Sequence, residues 1–158
     1  MSVRNQEPNA LWNHFADLNA VPRPSKKEER VIEFMMNFGR ELNLETIKDK
    51  IGNVIIKKPA SPGMENRKKV ILQSHLDMVH QKNGDTVFDF DKEGIKMRVQ
   101  GDWIDAEGTT LGADNGIGVA TIMATLSSKE IAHPPLEALF PIDEETGMTG
   151  PVLFYPSD

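Results

Sequence analysis

The chain has 158 residues, of which 39% are hydrophobic and 27% charged, a balance typical of one packed globular domain rather than of a disordered or fibrous protein. Its formal net charge is -6, with acidic and basic residues interspersed, so it lacks the basic stripe that would bind nucleic acid or an anionic membrane. The sequence contains no cysteine, which excludes disulfides, thiolate metal sites and a cysteine nucleophile.

The amino-terminal half predicts two helices followed by two strands. Apolar residues recur at helical spacing in 8–21 and again in 25–42, where Ser25 and Glu28 have the spacing of a capping box. Residues 53–58 and 68–74 are rich in Val and Ile and predict strands, separated by a loop that contains Pro and Gly. The first residues lack the apolar core of a signal peptide, and no apolar stretch approaches membrane-spanning length. We therefore expect a cytoplasmic protein.

The carboxyl-terminal half predicts a hairpin, a helix and a buried strand. Residues 95–106 favour a hairpin that turns at 100–102, residues 115–128 a helix, and residues 135–142 a strand. Strands that alternate with helices are typical of an α/β protein. The predicted fold is a mixed, largely parallel sheet flanked by helices.

Polar residues follow the second and the last of these strands. His75 and Asp77 come after 68–74, Asp143, Glu144 and Glu145 follow 135–142, and Asp114 stands just before the helix that connects the two strands. If these strands are parallel, their carboxyl ends share the sheet edge where α/β proteins usually bind ligands. The sequence then predicts that the three clusters converge.

Such a convergence favours a divalent metal ion. Carboxylates gathered in a partly buried cleft repel one another unless a cation compensates for them or some are protonated. A histidine with carboxylates and no thiolate suits a catalytic zinc, manganese or cobalt site. Asp77 could accept a hydrogen bond from the far imidazole nitrogen of His75 and so fix the tautomer that binds metal.

Each cluster also has a simpler structural interpretation. A single His-x-Asp at a strand end is commonly a solvated turn. Glu144 and Glu145 would also be favourable at an exposed helix start, where acidic residues interact with the helix dipole, and Asp114 would be an ordinary helix cap. The glycines at 112, 116 and 118 do not match a nucleotide-binding loop. His14, His80 and His133 are expected to be surface or capping residues, and Met35 and Met36 core residues.

Taken together, the motifs resemble those of one enzyme family. The chain is similar to the aminoacyl-histidine dipeptidases, also called Xaa-His dipeptidases or bacterial carnosinases, in HLDMV (75–79), GTTLGADNGIGVA (108–120) and DEETGMTG (143–150), and VPRPSKKEE (21–29) fits as well. These enzymes belong to the dinuclear zinc peptidases, together with carboxypeptidase G, the aminoacylases and peptidase T. The three motifs occur in the family's order.

The resemblance implies a role for each site residue. His75 would bind one of two zinc ions, with manganese or cobalt as possible substitutes, and Asp77 would orient His75. Asp114 would bridge the two ions, and Glu145 would bind the other. Glu144 would be the general base in hydrolysis of an Xaa-His dipeptide, and the peptide bond after Asp114 is expected to be cis.

The resemblance also has limits. It extends to about Gly150, after which residues 151–158 diverge. The family's two further metal ligands and its lid domain, through which the parent enzyme forms a homodimer, are not expected within these 158 residues. The chain therefore corresponds to the amino-terminal portion of a metallopeptidase catalytic domain, and a polypeptide of these residues alone is expected to be weakly active or inactive.

Three hypotheses about function follow. The chain belongs to a dipeptidase for Xaa-His substrates, to another metal-dependent amidohydrolase such as a tripeptidase or deacylase, or to a non-catalytic protein that binds a metal or a partner. The first two share their chemistry and differ in substrate.

Overall fold

The computed structural model describes residues 2–152. Its elements are the 3-10 turn Val3–Asn5, α1 (Asn9–Asn19), α2 (Glu29–Glu41), β1 (Glu45–Lys48), β2 (Val54–Lys58), β3 (Val70–Gln73), β4 (Met97–Gln100), β5 (Trp103–Ala106), α3 (Ala113–Ser127), β6 (Leu136–Phe140), α4 (Glu144–Gly147) and α5 (Thr149–Val152). Of the divergent segment 151–158, residues 153–158 lie outside this described range.

The main sheet has four strands in the order β1-β2-β6-β3. The β3–β6 pair is parallel, whereas β1–β2 and β2–β6 are antiparallel. The predicted α/β class, with a mixed sheet flanked by helices, is confirmed, but the parallel part is limited to the β3–β6 pair. This pair places the carboxyl ends of β3 and β6 at one edge of the sheet.

The predicted helices and strands are confirmed with small shifts of their ends, and the hairpin β4–β5 turns at Gly101, whose φ is +61°. The capping box at Ser25 and Glu28 is wrong. The helix begins at Glu29, and Glu28 makes no side-chain capping hydrogen bond at its start. Ser25 is buried, and its hydroxyl group donates a hydrogen bond to the carboxylate of Asp77 instead of capping the helix.

The core lies between one face of the sheet and helices α2 and α3. Met35 and Met36 are both buried, as predicted, and pack with residues of β2, β6 and α3. His133 is buried rather than exposed, and its Nδ1 lies 2.8 Å from the carbonyl oxygen of Pro134 in the loop before β6. At the sheet edge, Val70 and Ile71 of β3 are 40% and 59% exposed.

The contrast between two isoleucines of this sheet gives a stability prediction. Ile56 of the inner strand β2 is fully buried and Ile71 of the edge strand β3 is half-exposed. Ile56→Ala is expected to lower the free energy of unfolding by about 2–5 kcal/mol, because it removes buried methyl groups and leaves a cavity. Ile71→Ala is the matched control and should cost below about 1 kcal/mol. Urea unfolding of both variants tests this, and equal losses would contradict the assigned core.

No helix within the described range is long and apolar enough to cross a membrane.

Candidate metal centre

Three chain segments meet at the edge of the sheet where β3 and β6 end. Residues 74–78 continue from β3, residues 143–145 follow β6, and residues 112–115 form the entrance to α3. The parallel pairing of β3 and β6 explains why the first two segments emerge side by side. The third segment is attached by a hydrogen bond of 2.9 Å from the Ser74 hydroxyl to the carbonyl oxygen of Asn115.

His75 is 5% exposed, and its two ring nitrogens face different partners. Nδ1 lies 3.1 Å from the carbonyl oxygen of Asp77 and 3.3 Å from its carboxylate Oδ1. Nε2 lies 3.2 Å from Oδ1 of Asp114 and 4.0 Å from Oε2 of Glu144. If Nδ1 carries the proton, its N–H group donates a hydrogen bond to Asp77. The lone pair of Nε2 is then directed at Asp114 and Glu144.

Asp77 is fully buried behind His75 and accepts hydrogen bonds on both carboxylate oxygens. The backbone N–H groups of Glu144 and Glu145 donate to it at 3.0 and 3.2 Å, and the Ser25 hydroxyl donates at 2.7 Å. Burial raises the pKa of Asp77, but the hydrogen bonds from His75 and these donors outweigh burial and lower the pKa to about 2. Asp77 therefore holds the start of α4 beside His75.

Asp114 presents its carboxylate to solvent, with a side chain that is 85% exposed. Its backbone leaves the helical region, with φ -89° and ψ 110°, although it lies in the first turn of α3. The Asp114–Asn115 peptide bond is cis, as the resemblance to the dipeptidases led us to expect. The carboxylate reaches His75 from the opposite side to Asp77.

Negative charge is concentrated around this imidazole. Burial raises the pKa of Glu145, His75 opposes that rise, and the carboxylates of Asp114 and Glu144 add to it, so the net shift is upward. Burial lowers the pKa of His75, but hydrogen bonds and charges from Asp77, Asp114 and Glu144 outweigh burial and raise it. The carboxylates of Asp114, Glu144 and Glu145 lie around one imidazole, and a divalent cation would neutralise them.

The geometry fits a metal ion. His75, Asp114 and Glu145 each offer one ligand atom, and these atoms all lie within 4.8 Å of one another. Ligand atoms around a tetrahedral zinc with bonds of about 2.0–2.1 Å lie roughly 3.3 Å apart, close to the 3.2 Å between His75 and Asp114. Among residues 2–152, this is the one group of three such side chains. An imidazole with two carboxylates suits zinc, manganese or cobalt.

The structure thus brings together all five residues that the sequence singled out. Two further residues support the site and were not recognised from the sequence as part of it. Ser25 binds the Asp77 carboxylate, and Arg23 donates to the carbonyl oxygens of Leu76 and Gly112. The signal available for both was their place in the motif VPRPSKKEE.

The chain is similar to known dipeptidases in both sequence and fold. The aminoacylhistidine dipeptidase of Vibrio alginolyticus has a solved structure that matches with a TM-score of 0.96 and 48% identity over 98% of this chain. The cytosol non-specific dipeptidase of Escherichia coli K12 is 49% identical over 143 residues, or 90% of this chain. The chain belongs to the family of these dipeptidases.

The dipeptidase family has more distant structural relatives that share this fold. Aminopeptidase PepT of Bacillus cereus matches with a TM-score of 0.75 and 25% identity over 92% of the chain. No protein-family model matches the chain. The chain spans about a third of the length of its dipeptidase relatives, 30% of the Escherichia coli protein and 31% of the Vibrio one.

Proposed function

We propose that the protein containing this chain is a metal-dependent dipeptidase that hydrolyses Xaa-His dipeptides. The observation that carries the proposal is the meeting of His75, Asp114 and Glu145 within 4.8 Å, next to Glu144, in a member of the dipeptidase family. These three residues would hold the metal. Zinc is the proposed metal, with manganese or cobalt as substitutes.

The metal ions, when bound, would polarise the peptide carbonyl group and lower the pKa of water. The chain's own residues supply the remaining functions. Asp77 holds the Nδ1 side of His75 and so keeps Nε2 available as a ligand. The same carboxylate binds the N–H groups of Glu144 and Glu145, which fixes the backbone of the proposed base and of the proposed ligand together.

Glu144 is placed to move a proton. Its carboxylate is 35% exposed and lies 4.0 Å from His75 Nε2, at the open side of the cluster. It can accept a proton from the attacking water there and return it to the nitrogen of the leaving amine. Glu145 belongs to the group of three possible ligands and Glu144 does not, so Glu144 can act as base while Glu145 binds metal.

A second candidate is a dipeptidase of wider specificity. The relative in Escherichia coli is named a non-specific dipeptidase, and it is as similar in sequence as the Vibrio aminoacylhistidine dipeptidase. Hydrolysis of Ala-His and Gly-His beside Ala-Ala and Gly-Leu separates the two candidates. A strong preference for carboxyl-terminal histidine supports the first, and equal turnover supports the second. We also propose a cytoplasmic location, as for the cytosol dipeptidase.

Metal dependence is the first test of the proposal. Chelation is expected to abolish dipeptide hydrolysis, and added zinc, manganese or cobalt should restore it. His75→Ala should weaken metal binding about tenfold or more, because it removes the one nitrogen ligand of the group. His80→Ala, an exposed histidine five positions away, is the matched control and should bind metal normally. Calorimetric titration measures both, and hydrolysis that survives complete chelation would contradict the proposal.

A further inference from the structure

Arg23 is a buried cation in the segment between α1 and α2. Its side chain is 1% exposed, which is unusual because arginine is almost never fully buried unless it is paired. Its four hydrogen bonds go to neutral oxygen atoms, three of them backbone carbonyls. Burial lowers the pKa of Arg23 to about 10, with the charge of Asp77 opposing that shift, so the group remains a cation at neutral pH.

The two terminal nitrogens of Arg23 bind two different segments of the metal centre. Nη1 donates to the carbonyl oxygen of Leu76 at 3.0 Å, and Leu76 follows His75 directly. Nη2 donates to the carbonyl oxygen of Gly112 at 2.6 Å, two residues before Asp114. The guanidinium therefore joins the segment that follows β3 to the segment that enters α3.

Neighbouring residues leave space for this guanidinium and orient it. A Cβ atom at Gly112 would lie 2.5 Å from Nη2, and one at Gly116 would lie 2.7 Å from it. Gly112 also has a φ of +70°, which disfavours any side chain there. Asn19 accepts from Nη2 at 3.0 Å and donates to the carbonyl oxygen of Leu111 at 3.1 Å, so it orients Arg23 towards the same loop. Nε has no hydrogen-bond partner, so the terminal nitrogens alone set the position.

We propose that Arg23 is a positioning residue of the metal centre, and that its bridge between the carbonyl oxygens of Leu76 and Gly112 sets the distance between His75 and Asp114. This inference rests on the proposed metal-dependent function. The 3.2 Å between His75 Nε2 and Asp114 Oδ1 spans two segments that are distant in sequence, and Arg23 is bonded to both. A planar guanidinium offers donors in a fixed fork, whereas the single ammonium of lysine cannot occupy both positions.

Cobalt binding to the whole protein that contains this chain tests the proposal. Arg23→Lys keeps the positive charge but cannot donate to the carbonyl oxygens of Leu76 and Gly112 at the same time. The affinity for Co²⁺ is therefore expected to fall about tenfold or more, the usual effect of changing a residue that orients a metal ligand. The visible absorption of bound Co²⁺ should also change, because the ligand geometry changes. Arg98→Lys is the matched control, since Arg98 pairs with Asp105 on the exposed hairpin, and both readouts should equal those of the unmodified protein.

Thermal unfolding without metal separates positioning from general stability. A variant that is folded at the assay temperature but binds Co²⁺ weakly, with an altered spectrum, supports positioning. If Arg23→Lys does not fold, Asn19→Ser decides by the same criterion, because it keeps Arg23 and removes the contact that orients Nη2.

Two results would overturn the inference, and they are distinguishable. If the unmodified protein does not bind Co²⁺, or binds it equally well after His75→Ala, the proposed metal centre is wrong and the role of Arg23 is wrong with it. If binding depends on His75 while the folded variant, Arg23→Lys or its substitute Asn19→Ser, has unchanged affinity and spectrum, only the role of Arg23 is wrong.

Discussion

Glu144→Gln is expected to lower the turnover of an Xaa-His dipeptide by about 10²–10⁴-fold, the usual contribution of a positioned general base. Glutamine has nearly the same size and shape as glutamate, but its amide cannot take a proton from water. The backbone of residue 144 should stay in place, because its N–H group donates to Asp77 independently of the side chain. The loss should therefore lie in kcat rather than in the fold.

Metal binding separates the roles of the two adjacent glutamates. Glu144→Gln should bind zinc or cobalt about as well as the unmodified protein, since Glu144 is outside the group of three ligands. Glu145→Gln should weaken metal binding, because a neutral amide oxygen replaces an anionic ligand. Glu130→Gln, an exposed residue in the loop after α3, is the control for unrelated effects of the substitution.

Steady-state hydrolysis and calorimetric titration of the same preparations measure both properties. Turnover by Glu144→Gln above about a tenth of the unmodified rate would rule out a general-base role. Equal loss of metal binding in the two variants would place Glu144 among the ligands instead.

The convergence of the site could be predicted from the sequence because it depends on few facts about the fold. Short apolar runs before His75 and before Asp143 identify two strands, and the helical segment between them allows a parallel pair. Once β3 and β6 are parallel neighbours, their following residues must emerge at one edge. Local sequence pattern was sufficient for this part of the structure.

The direction of the remaining strands could not be predicted in the same way. The sequence does not predict strand β1, because ETIK is short, carries a charged residue at each end and is exposed at both ends, so it lacks a clear alternation. The antiparallel pairings of β2 with β1 and with β6 depend on loops and packing rather than on the residues of β2. A short apolar run predicts a strand without giving its direction.

The supporting residues of the site were the hardest to foresee. Ser25 stands at the correct spacing for a helix cap, and only the buried carboxylate of Asp77 makes it bind elsewhere. Arg23 has the most strongly hydrophilic type of side chain, and its burial depends on space left by Gly112 and Gly116 far along the chain. Such roles arise from tertiary contacts that no local pattern contains.

Asp77→Asn is expected to lower both the stability of the protein and its affinity for metal. The carboxylate is fully buried, and donors approach both of its oxygens: His75 Nδ1 and the Glu144 N–H at Oδ1, and the Ser25 hydroxyl and the Glu145 N–H at Oδ2. An asparagine has one acceptor oxygen and an NH₂ group. Either orientation of the amide therefore sets a donor against a donor on one side.

The expected loss in the free energy of unfolding is about 2–5 kcal/mol, because buried donors lose a charged acceptor. With its oxygen towards Glu145, the amide would turn its NH₂ group to His75 and favour the wrong imidazole tautomer. Metal affinity should then fall about 10–100-fold, as it does when the partner of a metal-binding histidine is removed.

Asp105→Asn is the matched control, because Asp105 pairs with Arg98 on the exposed hairpin, where an ion pair contributes at most about 1 kcal/mol. Urea unfolding measures stability, and cobalt titration at a temperature where both variants are folded measures affinity. The loss of stability follows from the hydrogen bonds alone and does not depend on metal. A destabilised variant with normal cobalt affinity would therefore show that Asp77 stabilises the fold but does not orient His75. If Asp77→Asn were as stable as Asp105→Asn, the hydrogen-bonded arrangement itself would be wrong. Two of the four donors would have lost their buried acceptor oxygen, and this loss should lower the free energy of unfolding.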